Sequence, residues 1–422
     1  MGQAMHVAVI GAGIVGACCA VELLRDGHQV TLIEPGEPGG EQAASYGNGA
    51  WISPASVVPM SMPGLWKKIP GYLLDASGPL TLRLGALPAL APWLWRFVLS
   101  GCSVARVERT ARALARLLGD APDRHRALAA EAGVAQLIAS NGLLYAYASR
   151  SGFEAEALAW RLRRDNGIAW RELDALALHR LLPMLDAAYG FGVVVDAGAH
   201  CRDPGAYVGA LVRHACAHGA RLARARATGF DIANRRLRAV LTDAGPIACE
   251  RAVIAAGIAS KDLARAAGDR VFLESERGYH VVVSAPGFEL PMPVMPADGK
   301  MANTPTNHGL RLAGQVELTT RDAAPDWRRA EILLGHARRA YPRLRDLAET
   351  GAVKLWSGDR PSTADGLPVL GPASASPDVI HAFGHGHVGL ACGPISGRMV
   401  ADLLGGNLGA ADCAAYAAQR FA

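Results

Sequence analysis

Only five of the 43 lysine and arginine residues are lysine (Lys67, Lys68, Lys261, Lys300 and Lys354), and the arginines are scattered rather than gathered in a block. The formal charge of +5 is therefore poor support for a nucleic-acid surface. It is compatible with an anionic substrate or an anionic membrane surface, although a mildly basic surface without a partner is the commoner meaning. Eight cysteines occur and none is spaced as CxxC, so neither a zinc site nor a disulfide framework is expected; a reducing cytosol fits best. No apolar run approaches the roughly 20 residues of a spanning helix. The longest, 86–99, is broken by Pro88, Pro92 and Arg96. From Met5 the chain passes directly into an apolar run and a Gly-rich turn, which leaves no room for a secretory signal. The expectation is a cytoplasmic protein, with at most a peripheral contact to the inner membrane.

With 422 residues, 50% hydrophobic and 19% charged, the chain is too long for one compact core and is not a disordered one. Two domains are expected. His6 to Ile10 (HVAVI) is a short apolar run, followed by Gly11, Gly13 and Gly16 in the spacing GAGIVG and then by the helical pattern ACCAVELLRDG. This is strand, tight turn and helix. Gly11 permits the turn, Gly13 lets a pyrophosphate approach the backbone, and Gly16 lets helix and strand pack closely, with Ile14 and Val15 opening the helix towards the phosphates. A second strand, HQVTLIE, ends in Glu34, 21 residues after Gly13, where a carboxylate can accept from both hydroxyls of an unphosphorylated ribose. The motif alone does not separate NAD from FAD.

The middle of the chain, Leu80 to Leu185, reads as helical, with apolar residues at three and four spacing. Trp93, Trp95 and Phe97 beside Arg96 suit a membrane surface, but such spacing more often marks core. Asp203 and Pro204 read as N-cap and first residue of a helix. The run 250–260 is a strand ending in Ala255, Ala256 and Gly257, and GYHVVV and LRLAGQVELTT are strands of a mixed or antiparallel sheet. Trp356 to Gly371 (WSGDRPSTADGLPVLG) and Phe383 to Gly397 (FGHGHVGLACGPISG) frame a short strand, VIHAF.

After Glu34 the stretch PGEPGGEQAASYGNGAWISP contains Ser45, Tyr46, Gly47, Asn48, Gly49, Ile52, Ser53 and Pro54. These residues, with the Arg-Pro-x-Thr-x-Asp-Gly-x-Pro-x-Leu-Gly run and the Gly-His-x-x-x-Gly run at the C-terminal end, resemble the D-amino acid oxidase superfamily of FAD-dependent oxidoreductases. The chain is most similar to bacterial D-amino acid dehydrogenases of the small-subunit type. The resemblance spans essentially the whole chain, strongest in 6–65 and 356–405. It implies an α/β (α+β) protein in which a Rossmann-like FAD domain of the glutathione-reductase type, residues 1–85, 196–272 and 356–422, joins a substrate domain of mixed or antiparallel sheet plus helical insert, residues 86–195 and 273–355.

It also implies that Ser45, Gly47, Asn48 and Gly49 lie along the flavin, that Ala256 and Gly257 lie under its adenine half, and that Gly384, Gly386, His387, Val388, Gly389 and Leu390 lie at its pyrimidine edge. A helix beginning near Gly393 would aim its positive end at the flavin N1 and C2=O, where charge gathers on reduction. Arg360 would pair with a substrate carboxylate through its planar fork, and Tyr279 would send a hydroxyl to the same group. Arg277 and Arg311 are the next candidates. His387 replaces an arginine that glycine oxidase-like relatives carry here, so it would touch the amine or the flavin, or only line the pocket.

No residue reads as an indispensable base and no metal site is expected, so alignment carries the chemistry. No cysteine occurs in 356–365, and FAD is expected to be held non-covalently. No second GxGxxG occurs, so the substrate itself is expected to reduce the flavin. The reading is oxidation of a small D-amino acid, with cyclic ones such as D-proline or hydroxy-D-proline included, by transfer of hydride from the α-carbon to flavin N5, with electrons passing to a quinone or another carrier. The alternatives are an oxygen-using oxidase of glycine or sarcosine type and a flavin-binding subunit of a larger complex.

Overall fold

A computed structural model describes residues 4–67, 71, 78–345 and 353–422. The first strand, His6–Ile10, is apolar and fully enclosed beyond its first residue, as the interior strand of a parallel sheet must be. It pairs in parallel with Gln29–Ile33 on one side and Arg251–Ile254 on the other. Arg221–Ala223 extends the first flank, while Val379–Phe383 and then the antiparallel Val369–Pro372 extend the second, giving six strands. The order reverses at His6–Ile10. A crevice therefore opens at the carboxyl ends of the central strands, the usual ligand position in such sheets.

The helices Ile14–Arg25 and Gly389–Leu404 each follow one of these parallel strands, so both N-termini open on that same edge. They touch backbone to backbone. A Cβ at Gly393 would lie 2.8 Å from Ile14 Cγ1, and one at Gly397 would lie 2.7 Å from the Cys18 carbonyl carbon. The helix begins at Gly389 rather than near Gly393 and carries Pro394 in its interior, where the ring removes one backbone hydrogen bond. Cys18 and Cys19 are wholly buried in this contact, and burial pushes both thiols up.

A larger sheet of nine strands carries Val353–Thr363, Leu273–Val283, Gly309–Leu318, Ala302–Thr306, Val294–Pro296, Leu143–Tyr147, Phe191–Val195 and Arg171–Asp174 in that order, with Leu80–Leu82 also on Gly309–Leu318. It is mixed, as expected. The helical middle expected from 80 to 185 is interrupted by Leu143–Tyr147 and Arg171–Asp174. The first of these is an all-buried run whose burial, not periodicity, makes it a strand. The helices Val104–Leu118 and Ala121–Glu131 bury their apolar faces in the core around Ile14–Arg25 and Gly389–Leu404 rather than against the large sheet. His125 ties this layer down by bonding Tyr207 Oη at 3.0 Å and the Leu390 carbonyl at 2.9 Å. Strand Val353–Thr363 crosses the expected boundary at 356 and lies wholly in the large sheet.

The remaining local expectations meet the structure directly. Asp203 caps helix Pro204–Ala217 by accepting from the Ala206 amide. Trp93 is buried, stacks on Phe97 at 4.9 Å and donates to the Ser362 carbonyl, whereas Trp95 of the same helix is 67% exposed. Among the described residues no helix is long and apolar enough to cross a membrane.

Candidate active site

At the crevice, Gly11 has φ +101° and a Cβ there would fall 2.4 Å from the Ala255 carbonyl oxygen; at Gly16 it would fall 1.9 Å from the Gly11 oxygen. The turn and the helix behind it can close only with glycine. Helix Ile14–Arg25 has no side-chain cap from Gly13 and no acid in its first turn, which leaves its positive end to an anion. The Ile14 amide donates to Ser45 Oγ at 3.0 Å, and that oxygen lies 3.3 Å from the place of a Gly13 Cβ. Glu34 accepts from the Ala12 amide at 2.9 Å and the Gly36 amide at 3.0 Å, which fixes its carboxylate at the mouth of the turn. Ala256 and Gly257 follow the neighbouring strand, close to Gly11.

Two glycine-bearing loops run from this crevice to the large sheet. In the first, Arg311, 2% exposed, donates to the carbonyls of Tyr46 at 2.9 Å and Asn48 at 2.8 Å, while a Cβ at Gly47 would overlap the Trp356 ring. In the second, Gly384 and Gly386 have φ of +80° and +51°, and a Gly386 Cβ would lie 3.1 Å from Ser362 Oγ. His385 bridges to Ser362 in the backbone and bonds Ser396 Oγ at 2.8 Å. Val388 precedes the uncapped start of helix Gly389–Leu404, whose first turn also holds Leu390. These cradles, open backbone and free helix ends fit a dinucleotide with a flat ring.

Between the loops stands one face of the paired strands Leu273–Val283 and Val353–Thr363. Glu276 faces Arg360, Gly278 faces Gly358 and His280 faces Trp356 across the antiparallel register, so all six share that face. Arg360 is half-buried; its Nη1 and Nη2 donate to the Gln315 and Gly314 carbonyls at 3.1 and 3.3 Å. Burial lowers its pKa and the Glu276 charge opposes that, leaving a guanidinium that stays charged. Gln315 offers its carbonyl from a φ of +55°, at the register shift where strand Gly309–Leu318 bulges.

Glu276 is 5% exposed. Its Oε2 accepts from His387 Nε2 at 2.7 Å and from Ser362 Oγ at 2.9 Å. Burial alone would raise this carboxyl, but the charge and hydrogen bond of His387, the Ser362 hydroxyl and the Arg360 charge together hold it below the ordinary value. His280 is pushed down to about 3, first by burial and then by Arg311, and stacks on Trp356 at 5.0 Å.

The structure thus brings Arg360 and His387 together, with Glu276 between them. It does not bring Tyr279. That residue alternates to the opposite face, where its hydroxyl donates to Glu317 at 2.5 Å and accepts from the Asp326 amide at 2.8 Å, and where burial and Glu317 push its pKa up. Arg277 shares that far face and spends its two terminal nitrogens on the Ala323 and Arg321 carbonyls. Arg311 serves the loop. Glu276 was missed in the sequence reading, although the period-two alternation of Glu276, Gly278 and His280 through ERGYH points to it. Among the described residues no group of His, Cys, Asp or Glu is arranged for a metal ion.

The family model for FAD-dependent oxidoreductases of the DAO type matches residues 6–403. A D-amino-acid oxidase of Bradyrhizobium diazoefficiens is 51% identical over 421 residues, covering 100% of both chains. D-amino acid dehydrogenase 2 of Ralstonia nicotianae is 30% identical, covering 99% of this chain and 100% of its own. The crystal structure of glycine oxidase from Geobacillus kaustophilus superposes with a TM-score of 0.74 over 99% of each chain at 22% identity, a likeness of fold. From the match over nearly its whole length, the chain belongs to the DAO family of FAD-dependent oxidoreductases.

Proposed function

We propose that the protein oxidises a small D-amino acid at its α-carbon. The observation that carries this reading is Arg360: a charged, half-buried fork on the sheet face that lies between the two flavin-side loops. Bound FAD supplies the acceptor for the substrate's hydride. The chain's own residues do the rest. The turn Gly11–Gly16 and the start of helix Ile14–Arg25 hold the pyrophosphate, Glu34 the ribose, Ala256 and Gly257 the adenine side, and Ser45, Gly47, Asn48 and Gly49 with Gly384 to Leu390 the ring. Arg360 fixes the carboxylate, which orients the α-hydrogen.

The D-configuration and the amino-acid class rest on the names of the relatives, a D-amino-acid oxidase at 51% identity and D-amino acid dehydrogenases near 30%. Tyr279 has no part in this proposal, since its hydroxyl is engaged on the far face. The test is anaerobic bleaching of the flavin band with matched D- and L-amino acids. Rapid bleaching by D-enantiomers alone is expected, and bleaching by none of them sinks the reading. Repeating the assay in air separates direct oxidation by O2 from delivery to a quinone or other carrier.

A further inference from the structure

Arg360 and Glu276 are direct cross-strand partners on one face, so their Cβ atoms are about 4.5–5.5 Å apart. They nonetheless make no ion pair with each other: Arg360 binds two carbonyls, and Glu276 binds His387 and Ser362. Both bonds to Glu276 land on Oε2, and Oε1 accepts none among the described residues. Oε1 is not one of the buried polar atoms that lack a partner, so it keeps some exposed surface and is open to a molecule in the site. Here a cation and an anion stand side by side, unpaired with one another, with one carboxylate oxygen unclaimed.

An α-amino acid is the complementary object, a carboxylate and an ammonium separated by one carbon. We infer that Glu276 binds the substrate's amino group through Oε1 while Arg360 binds its carboxylate, and that His387 and Ser362 are positioning residues that hold Oε2 and turn Oε1 towards the substrate. This deepens the proposed function and rests on its assignment of Arg360. The site then selects zwitterions. A carboxylate without an amine satisfies only Arg360, and an amine without a carboxylate satisfies only Glu276.

The FAD-loaded enzyme and its Glu276→Gln, Glu276→Asp and Arg360→Ala variants should be compared for binding of D-alanine, propionate and ethylamine, by calorimetry and by perturbation of the flavin spectrum. Loss of a charged hydrogen bond to the ammonium should weaken D-alanine binding at least about tenfold in Glu276→Gln. Propionate should bind that variant as well as the unaltered enzyme or better, and ethylamine should bind it worse. Glu276→Asp keeps the charge and should fall between. Arg360→Ala should lose propionate and keep ethylamine. An unchanged ratio of D-alanine to propionate affinity in whichever Glu276 variant retains FAD overturns the inference. Propionate binding undiminished in Arg360→Ala would instead sink the carboxylate assignment beneath it.

Discussion

The guanidinium of Arg360 occupies the space that a side chain on Gly278 would need: a Cβ there would fall 2.1 Å from Arg360 Cζ. The two residues lie on neighbouring strands, two residues apart in register and so on the same face. Gly278 therefore makes room for the Arg360 fork by what it omits. Gly278→Ala should push the fork off the Gln315 and Gly314 carbonyls and cut kcat/KM for a D-amino acid at least about tenfold, since small misplacements of a clamp are costly. Flavin content should stay normal. Unchanged kinetics in that variant would mean that Arg360 has room to spare and is not held for catalysis.

Arg360 itself can be tested by degrees. Arg360→Lys keeps the charge but loses the planar fork, and Arg360→Ala loses both, so capture of a D-amino acid should weaken in that order. Hydrogen bonds to a desolvated carboxylate are worth roughly 1.5–3 kcal/mol each, so the alanine variant should lose at least about tenfold in kcat/KM. A decarboxylated amine should suffer far less. Equal losses on both substrates with FAD retained would show that Arg360 supports structure only.

Gly13→Val tests the nucleotide turn. A Cβ at this position already meets Ser45 Oγ at 3.3 Å, and the larger valine side chain would fill the approach to the helix N-terminus. The purified variant should be colourless, with FAD near background by absorbance. A normal flavin band would place the pyrophosphate elsewhere.

Acid should destabilise the protein through its enclosed histidines. Burial lowers His125 and His385 to about 4, against about 6.5 for an unfolded histidine. Between these values the unfolded chain binds more protons, so stability present at neutral pH falls as pH drops below about 6.5, and the loss is complete near the folded values. At pH 5 this amounts to about 2 kcal/mol for each histidine. The melting temperature of the holoenzyme should fall between pH 7.5 and 5, and less steeply in His125→Gln, which cannot take up the proton. Parallel pH dependences in the two proteins would show that His125 contributes nothing to the effect.

The nucleotide half was legible in the residues because its requirements are local. The spacing of Gly11, Gly13 and Gly16, the apolar run before them and Glu34 at its distance specify a strand, a turn and a helix whatever the rest of the chain does. Arg360 could be chosen because its motif is contiguous. The sidedness of a strand, the bulge at Gln315 and the start of a helix at Gly389 are different in kind. Each depends on which partner packs against the segment, and a one-residue change of register reverses every side chain.

Sequence by itself therefore determined the strand, turn and helix of the nucleotide site, since these follow from short motifs with fixed backbone demands, and its resemblance to known flavoproteins gave the family and FAD. Only the tertiary structure decided that Tyr279 turns away to Glu317, that Arg311 belongs to the Tyr46–Asn48 loop, and that Glu276 stands between Arg360 and His387. The physical reason is that these residues meet across strands and loops far apart in the chain. Their neighbours are set by long-range register and burial, which no local pattern encodes.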